Sequence, residues 1–198
     1  MIPAPPEIVC CPKCGQGLLR HSLLSGNTFG ATFYSNGRME APMLPEFPAF
    51  SRCPNCGAFF WVSDLERGGG GRRSYPDIKE LTVAETAAFL ESGLVQGRDQ
   101  EIFVRIKLWH AFGDGVYDDH SEEQELWEGN LRRLLELRPE EELMIAEIHR
   151  QLGQFDEAME ILNAILADEE KKEIWSFASQ MKAHCEKKDR KVFRFSRD

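Results

Sequence analysis

The chain has 198 residues, of which 42% are hydrophobic and 29% charged, so it fits one mid-sized domain or two small ones with an ordinary core. No apolar run approaches the roughly 18 residues that a membrane span needs. The first residues also lack the basic and apolar regions of a signal peptide. We therefore expect a cytoplasmic protein with reduced thiols and no membrane association.

The net charge of −9 is unevenly distributed along the chain. Residues 1–75 carry 7 Lys and Arg against 5 Asp and Glu, whereas residues 76–198 carry 17 against 28, a net charge of −11. A surface this acidic repels polyanions, which disfavours general nucleic-acid binding. The asymmetry also indicates two parts with different roles.

Residues 1–66 have the pattern of short strands and turns. Asn36-Gly37 lies between two β-prone segments, and this dipeptide is the strongest short signal for a hairpin. The aromatic and β-branched segment 58–62 predicts a strand. Three prolines between these two regions predict an irregular loop there, because proline cannot donate to a central strand.

Residues 67–76 predict a linker. They contain four consecutive glycines and end in Pro76, and glycine runs lose too much backbone entropy to lie inside a helix or strand. A phosphate-binding loop would need Lys-Ser or Lys-Thr and a helix directly after the glycines, and two arginines follow here instead.

Residues 77–198 show a helical period. Thr82 and Glu85 form the pattern of a capping box, and Gly93 supplies a stop signal for the first helix. Five further helices are predicted at about 99–112, from 121 to the proline at 139, and at about 141–152, 155–167 and 171–187. Short connections make consecutive helices antiparallel neighbours, so six helices predict three hairpins. The fold class is therefore α+β, with a small β domain followed by an all-α domain.

Four of the six cysteines lie in a repeated five-residue motif, Cys-Pro-x-Cys-Gly, at 11–15 and again at 53–57. Two thiolates three positions apart can face one ion when the backbone turns tightly, and the proline and glycine favour such a turn. The register of the repeat leaves Cys10 outside. The predicted ligands of one structural Zn²⁺ per chain are Cys11, Cys14, Cys53 and Cys56. Iron on the same four thiolates, or two disulfides, are the alternatives.

Residues 8–65 resemble a zinc ribbon of the rubredoxin-like kind. The doubled motif, the hairpin between its copies and the strand after the second copy carry the resemblance. It implies a metal site but not a function, because zinc ribbons occur in transcription factors, ribosomal proteins, enzymes and scaffolds. The 38 residues between Cys14 and Cys53 exceed the spacing of many ribbons, so we expect an elaborated loop.

Residues 143–166 resemble a tetratricopeptide repeat, a helical hairpin that packs through small residues. They lack the tryptophan that opens the repeat and the proline that closes it, and Ile165 replaces a usual alanine. Arrays of such repeats need at least three units, so the neighbouring hairpins would have to be degenerate copies. An ordinary helical bundle is the alternative. The positions that carry the resemblance are Ala146, Gly153, Phe155, Ala158 and Leu162.

No group of residues in the sequence forms a nucleophile, a base and an orienting partner. Cys185 lies on an apolar helix face, where a buried structural thiol is expected. The C-terminal residues 187–198 interleave basic side chains with Phe193 and Phe195, a pattern that could bind single-stranded nucleic acid. The alternative is a helix end whose cations suit the helix dipole and whose last residues dock or fray.

These patterns predict a non-enzymatic module with a structural zinc site that binds a protein partner through a TPR-like helical domain at 77–198. The layout is similar to that of uncharacterised bacterial proteins that join a zinc ribbon to a helical tail. The alternative function is a nucleic-acid-associated protein that uses the ribbon and the basic tail. Charge disfavours this alternative, because a nucleic-acid-binding ribbon would usually be clearly basic.

Overall fold

The computed structural model describes residues 1–68, 74–113, 122–137 and 140–196. It has an α+β fold, with pairs of short strands in the N-terminal part and six α-helices in the C-terminal part. Contacts divide the chain into two compact units. Unit 1 comprises Met1–Ala31 and Glu40–Gln96, and unit 2 comprises Thr32–Met39 and Gly97–Asp198.

Eight strands form four two-stranded sheets within the described residues. β1 pairs with β4, β2 with β3, β5 with β6 and β7 with β8. The hairpin predicted at Asn36-Gly37 is confirmed, since this dipeptide lies between β5 and β6, and Gly37 has a φ of 78°. The strand bounds are Ile2–Pro3, Glu7–Cys10, Gly17–Arg20, Leu23–Ser25, Thr32–Phe33, Met39–Glu40, Phe50–Arg52 and Phe59–Trp61 for β1 to β8.

Helix α1, Val83–Glu91, begins at a complete capping box. The Thr82 side chain accepts from the Glu85 backbone, and the Glu85 carboxylate accepts from the Thr82 backbone, as the sequence predicted. The helix belongs to unit 1 and not to the helical unit. Its fully buried Phe89 stacks on Phe50 with ring centroids 4.6 Å apart and meets Trp61 edge-on at 5.2 Å. These aromatic contacts pack the helix against β7 and β8.

A small buried cluster of unit 1 lies around the cysteines, apart from the aromatic contacts of α1. It consists of apolar side chains from β2, β3, β8 and the residues after β8, together with two of the cysteines. The boundaries predicted from the sequence, 1–66, 67–76 and 77–198, stay a prediction, and residues 69–73 of that linker lie outside the described residues. The buried members of the core are Val9, Cys11, Leu18, Cys53, Phe60, Val62 and Leu65.

The helices of unit 2 pack in chain order. α2 packs on α3, α4 on α5, and α6 on both α5 and α4. Gly153, with a φ of 79°, makes the turn between α4 and α5. No helix among the described residues is both long and apolar enough to span a membrane. The bounds are Gly97–Ala111, Glu122–Leu137, Glu142–Gln151, Phe155–Ala167 and Trp175–Glu186 for α2 to α6.

Unit 2 also contains a segment from between the two cysteine motifs. Residues 32–39, with β5 and the following turn, belong to unit 2 by their contacts. His110 of α2 lies with its Nε2 atom 3.0 Å from the carbonyl oxygen of Asn36, and Ser35 donates to Glu147 of α4 at 2.7 Å. The long spacing between the motifs therefore supplies an element of the helical unit.

Candidate metal centre

Two similar hairpins present the two cysteine motifs. β2 and β3 flank the first motif and pair Cys10 with Gly17, and β7 and β8 flank the second and pair Arg52 with Phe59. In each hairpin the motif forms the turn beyond this last pair. The sequence repeat is therefore a structural repeat, and Cys10 occupies the position that Arg52 holds in the second copy.

The two turns, called knuckles below, are held by equivalent hydrogen bonds. In the first, Gly15 donates from its backbone to the carbonyl of Cys11 at 2.9 Å, and in the second Gly57 donates to Cys53 at 2.9 Å. Both glycines have a positive φ, 70° and 72°, which a side chain would strain. The glycine that ends each motif is thus required by the turn.

The knuckles bring four sulfur atoms together. The Sγ atoms of Cys11, Cys14, Cys53 and Cys56 all lie within 4.8 Å of one another. Cys11 Sγ lies 3.7 Å from Cys56 Sγ, and Cys14 Sγ lies 3.7 Å from Cys53 Sγ. A tetrahedron with zinc–sulfur bonds of about 2.3 Å has sulfur atoms about 3.8 Å apart, so the cluster has the size of such a site. The six cysteines are free, and a disulfide would need about 2.05 Å.

The four thiols have unequal environments. Cys11 and Cys53 are buried, whereas Cys14 is exposed. Burial raises the pKa of the Cys11 thiol to about 12, while the amide of Asn55, which donates to Cys14 Sγ at 3.5 Å, lowers the pKa of Cys14 to about 6. Four thiolates this close repel one another, so a bound dication would stabilise the fully deprotonated set. The donor set therefore fits a soft or borderline metal ion.

Cys10 lies next to the cluster in sequence but outside it in space. Its backbone donates to Glu66 at 3.0 Å, and a Cβ atom built on Gly68 would lie only 2.8 Å from Cys10 Sγ. The side chain thus packs against the segment after β8. Successive side chains of a strand point to opposite faces, which explains why the side chains of Cys10 and Cys11 point in different directions.

The other candidate residues lie away from the cysteine cluster. Cys185 is buried in the core of α4, α5 and α6, where burial raises the pKa of its thiol to about 11. The two aromatic residues of the basic tail are docked. Phe193 stacks on His184 with centroids 3.7 Å apart, and Phe195 meets Phe177 edge-on at 4.7 Å.

Sequence reasoning missed a buried polar network on α4. Glu147, Arg150 and Gln151 are all fully buried, and Arg150 donates to both carboxylate oxygens of Glu147 at 2.8 and 2.6 Å. Trp109 donates to Gln151 at 2.9 Å. The sequence signal for this network is limited to three polar residues, Glu147, Arg150 and Gln151, on one face of a short helix. Outside α4, their partners include Trp109, Ser35 and the carbonyl of Lys191, which lie 42, 112 and 41 residues away along the chain.

The chain matches no family model, no curated protein and no solved structure. The resemblance to a zinc ribbon is therefore carried by the two knuckles and by the clustering of their four sulfur atoms. What the site can do follows from its donor atoms and geometry.

Proposed function

We propose that Cys11, Cys14, Cys53 and Cys56 bind one structural Zn²⁺ per chain. The clustering of four thiol sulfurs at tetrahedral spacing supports this proposal. Four cysteine ligands close the coordination shell, so the ion would stabilise the fold of unit 1 and leave no position for a substrate. The surrounding core is small, and metal binding would supply folding free energy that this core lacks. Iron on the same thiolates is the alternative occupant.

We propose further that the protein is a non-enzymatic interaction module whose helical unit is TPR-like and binds a protein partner. The packing of α4, α5 and α6 supports this. Ala146 of α4 and Ala158 of α5 are fully buried in one core, where small residues allow two helices to approach closely. α6 then packs on both members of the hairpin, as the first helix of a following repeat would.

The second candidate is a nucleic-acid-associated protein that uses the ribbon and the basic tail. The basic residues at 187–194 favour it, but two observations oppose it. The aromatic rings of Phe193 and Phe195 are engaged with His184 and Phe177, so they are not available to stack on bases. The net charge of −11 on residues 76–198 also repels the phosphate backbone.

Titration of fluorescent single- and double-stranded oligonucleotides at about 150 mM salt separates the two functions. The module predicts binding no tighter than the roughly 10⁻⁴ to 10⁻⁶ M of non-specific contacts. Sub-micromolar binding that weakens steeply with salt, and disappears when residues 187–198 are deleted, would replace the module with the nucleic-acid function.

A further inference from the structure

In the C-terminal segment of the chain, residues 189–196, residues 193–195 are bridged to residues 33–35 at the end of β5. The Ser35 backbone donates to the carbonyl of Phe193, and the Phe195 backbone donates to the carbonyl of Phe33, both at 2.9 Å. Tyr34 and Arg194 form an antiparallel bridge between them. This is the hydrogen-bonding pattern by which sheets take up extended peptides from partners.

Two side chains hold the backbone of this segment from the helices. Arg150 of α4, itself fully buried, donates to the carbonyls of Asp189 and Lys191. Gln180 of α6 accepts from the Ser196 backbone at 2.8 Å and donates to the Ser196 carbonyl at 3.3 Å. These contacts are to the main chain and would accept many sequences. The segment is also held through a side chain of its own, since Arg190 donates to the carbonyl of Gln151 at 2.7 Å and lies 3.5 Å from the Glu128 carboxylate.

Besides Arg190, two aromatic positions supply specificity. Phe193 stacks flat on His184, with the Arg150 guanidinium 5.1 Å from its ring centroid, and Phe195 packs edge-on against Phe177. Arg194, between them, is exposed, as alternation along a strand requires. The site therefore accepts an aromatic residue at each of these two positions, while the residue between them can vary.

The charges of the segment and of its surroundings are opposite. Residues 187–198 contain six Lys and Arg and two Asp, a net charge of +4, whereas residues 97–186 of the same unit contain 10 Lys and Arg against 22 Asp and Glu, a net charge of −12. A basic peptide is therefore attracted to the helical part of the chain, and an acidic one is repelled.

We propose that this surface is the peptide-binding site of the protein, called the tail site below, and that the chain's own C-terminus occupies it. The partner is a protein segment that is extended, basic and carries an aromatic-x-aromatic pair, and it binds by displacing residues 189–196. This proposal deepens the proposed protein-binding function and rests on it. The tail site consists of residues 33–35, Arg150, Phe177, Gln180 and His184.

Binding of a labelled peptide to the full-length chain tests the tail site. The probe is a fluorescent peptide with the sequence of residues 187–198. The double variant F193A/F195A frees the site, so this chain should bind the probe at least about 100-fold more tightly than the wild type does, because the tethered tail competes at millimolar effective concentration. R194A is the matched control chain and should behave as the wild type, because the Arg194 side chain is exposed.

The same titration also gives the results that would contradict the tail site. A probe with alanine at both aromatic positions should not bind F193A/F195A, whereas a probe with alanine at the Arg194 position should. Absence of probe binding to F193A/F195A, while that chain retains the wild-type circular dichroism, would overturn the tail site. Equal binding of the probe to the wild type and to F193A/F195A would overturn it as well.

Amide exchange in the wild-type chain supplies a test that needs no variant. The Phe195 amide donates to Phe33, so its protection reports whether the tail is bound. Millimolar unlabelled peptide should speed its exchange at least tenfold without affecting helix amides, and unchanged protection would overturn displacement. If the peptide does not displace the tail and oligonucleotide binding is weak, the tail site is wrong but the proposed protein-binding function is not contradicted.

Discussion

Each knuckle is preceded by a residue that is not part of the repeated motif. Cys10 takes this place in the first copy and Arg52 in the second. Cys10 packs against the segment after β8, and Arg52 donates to the carbonyl of Gly57 at 3.1 Å. The position therefore serves the hairpin and not the cluster, which gives the two neighbouring cysteines different expected roles.

We expect purified protein to contain about one zinc ion per chain, as measured by inductively coupled plasma mass spectrometry. Cys53→Ser removes one of the four clustered thiols, and three thiolates with one hydroxyl should hold zinc too weakly to survive purification. Cys10→Ser is the matched control and should keep the full content. Equal loss in both variants would contradict the assignment, and a red protein that absorbs visible light would show iron in place of zinc.

The spacing of the cysteines was sufficient to predict which four residues meet. A five-residue motif fixes its own turn, and superposing two copies excludes Cys10. The environments of the sulfurs could not be predicted in this way. Asn55 of the second knuckle donates to Cys14 of the first, so the lowered pKa of Cys14 depends on how two distant turns face each other.

At the scale of the elements, the sequence predicted where helices begin and end better than what they pack against. The capping box at Thr82 and Glu85 is local and is confirmed. The place of α1 is set by Phe89 against Phe50 and Trp61, residues 39 and 28 positions earlier in the chain. No local pattern contains those contacts, so the residues of α1 do not by themselves predict what the helix packs against.

Helix α4 shows why a polar residue on a helix is ambiguous in sequence. Glu147 and Arg150 form an i,i+3 pair, and so do Glu169 and Lys172. The first pair has no exposed side-chain surface, whereas the second is largely exposed, at 73% and 59%. Burial lowers the pKa of the Arg150 guanidinium, but the adjacent Glu147 carboxylate more than offsets this, so the pKa lies above its ordinary value.

We therefore expect the same substitution to have opposite consequences in the two pairs. Glu147→Gln leaves the Arg150 guanidinium buried without its counter-ion, which should lower the free energy of unfolding by about 3–5 kcal/mol. Glu169→Gln breaks a solvated pair and should cause no measurable change. Urea unfolding followed by circular dichroism measures both. Similar effects of the two variants would show that the buried network contributes no more than a surface pair.

At the scale of the whole molecule, the chain alternates between its two compact units. It leaves unit 1 after Ala31, returns at Glu40 and leaves again after Gln96. Two hydrogen bonds hold the intervening segment 32–39 in unit 2. The Ser35 hydroxyl donates to the Glu147 carboxylate, and the carbonyl oxygen of Asn36 is hydrogen-bonded to the His110 ring. If the proposed metal is bound, its loss would release the two knuckles, while this segment keeps partners that do not involve the cysteines.

Chelation of the metal tests whether the two units unfold separately. Unit 1 has a small core, and its knuckles depend on the ion in the proposed function, so a strong chelator should unfold it together with the nine residues of α1. Helices α2 to α6 pack on one another and should keep most of the far-ultraviolet helical signal. Cys53→Ser is the matched control, because a chain without bound metal should not respond to the chelator. Complete loss of the helical signal in the wild type would show that both units unfold as one cooperative system.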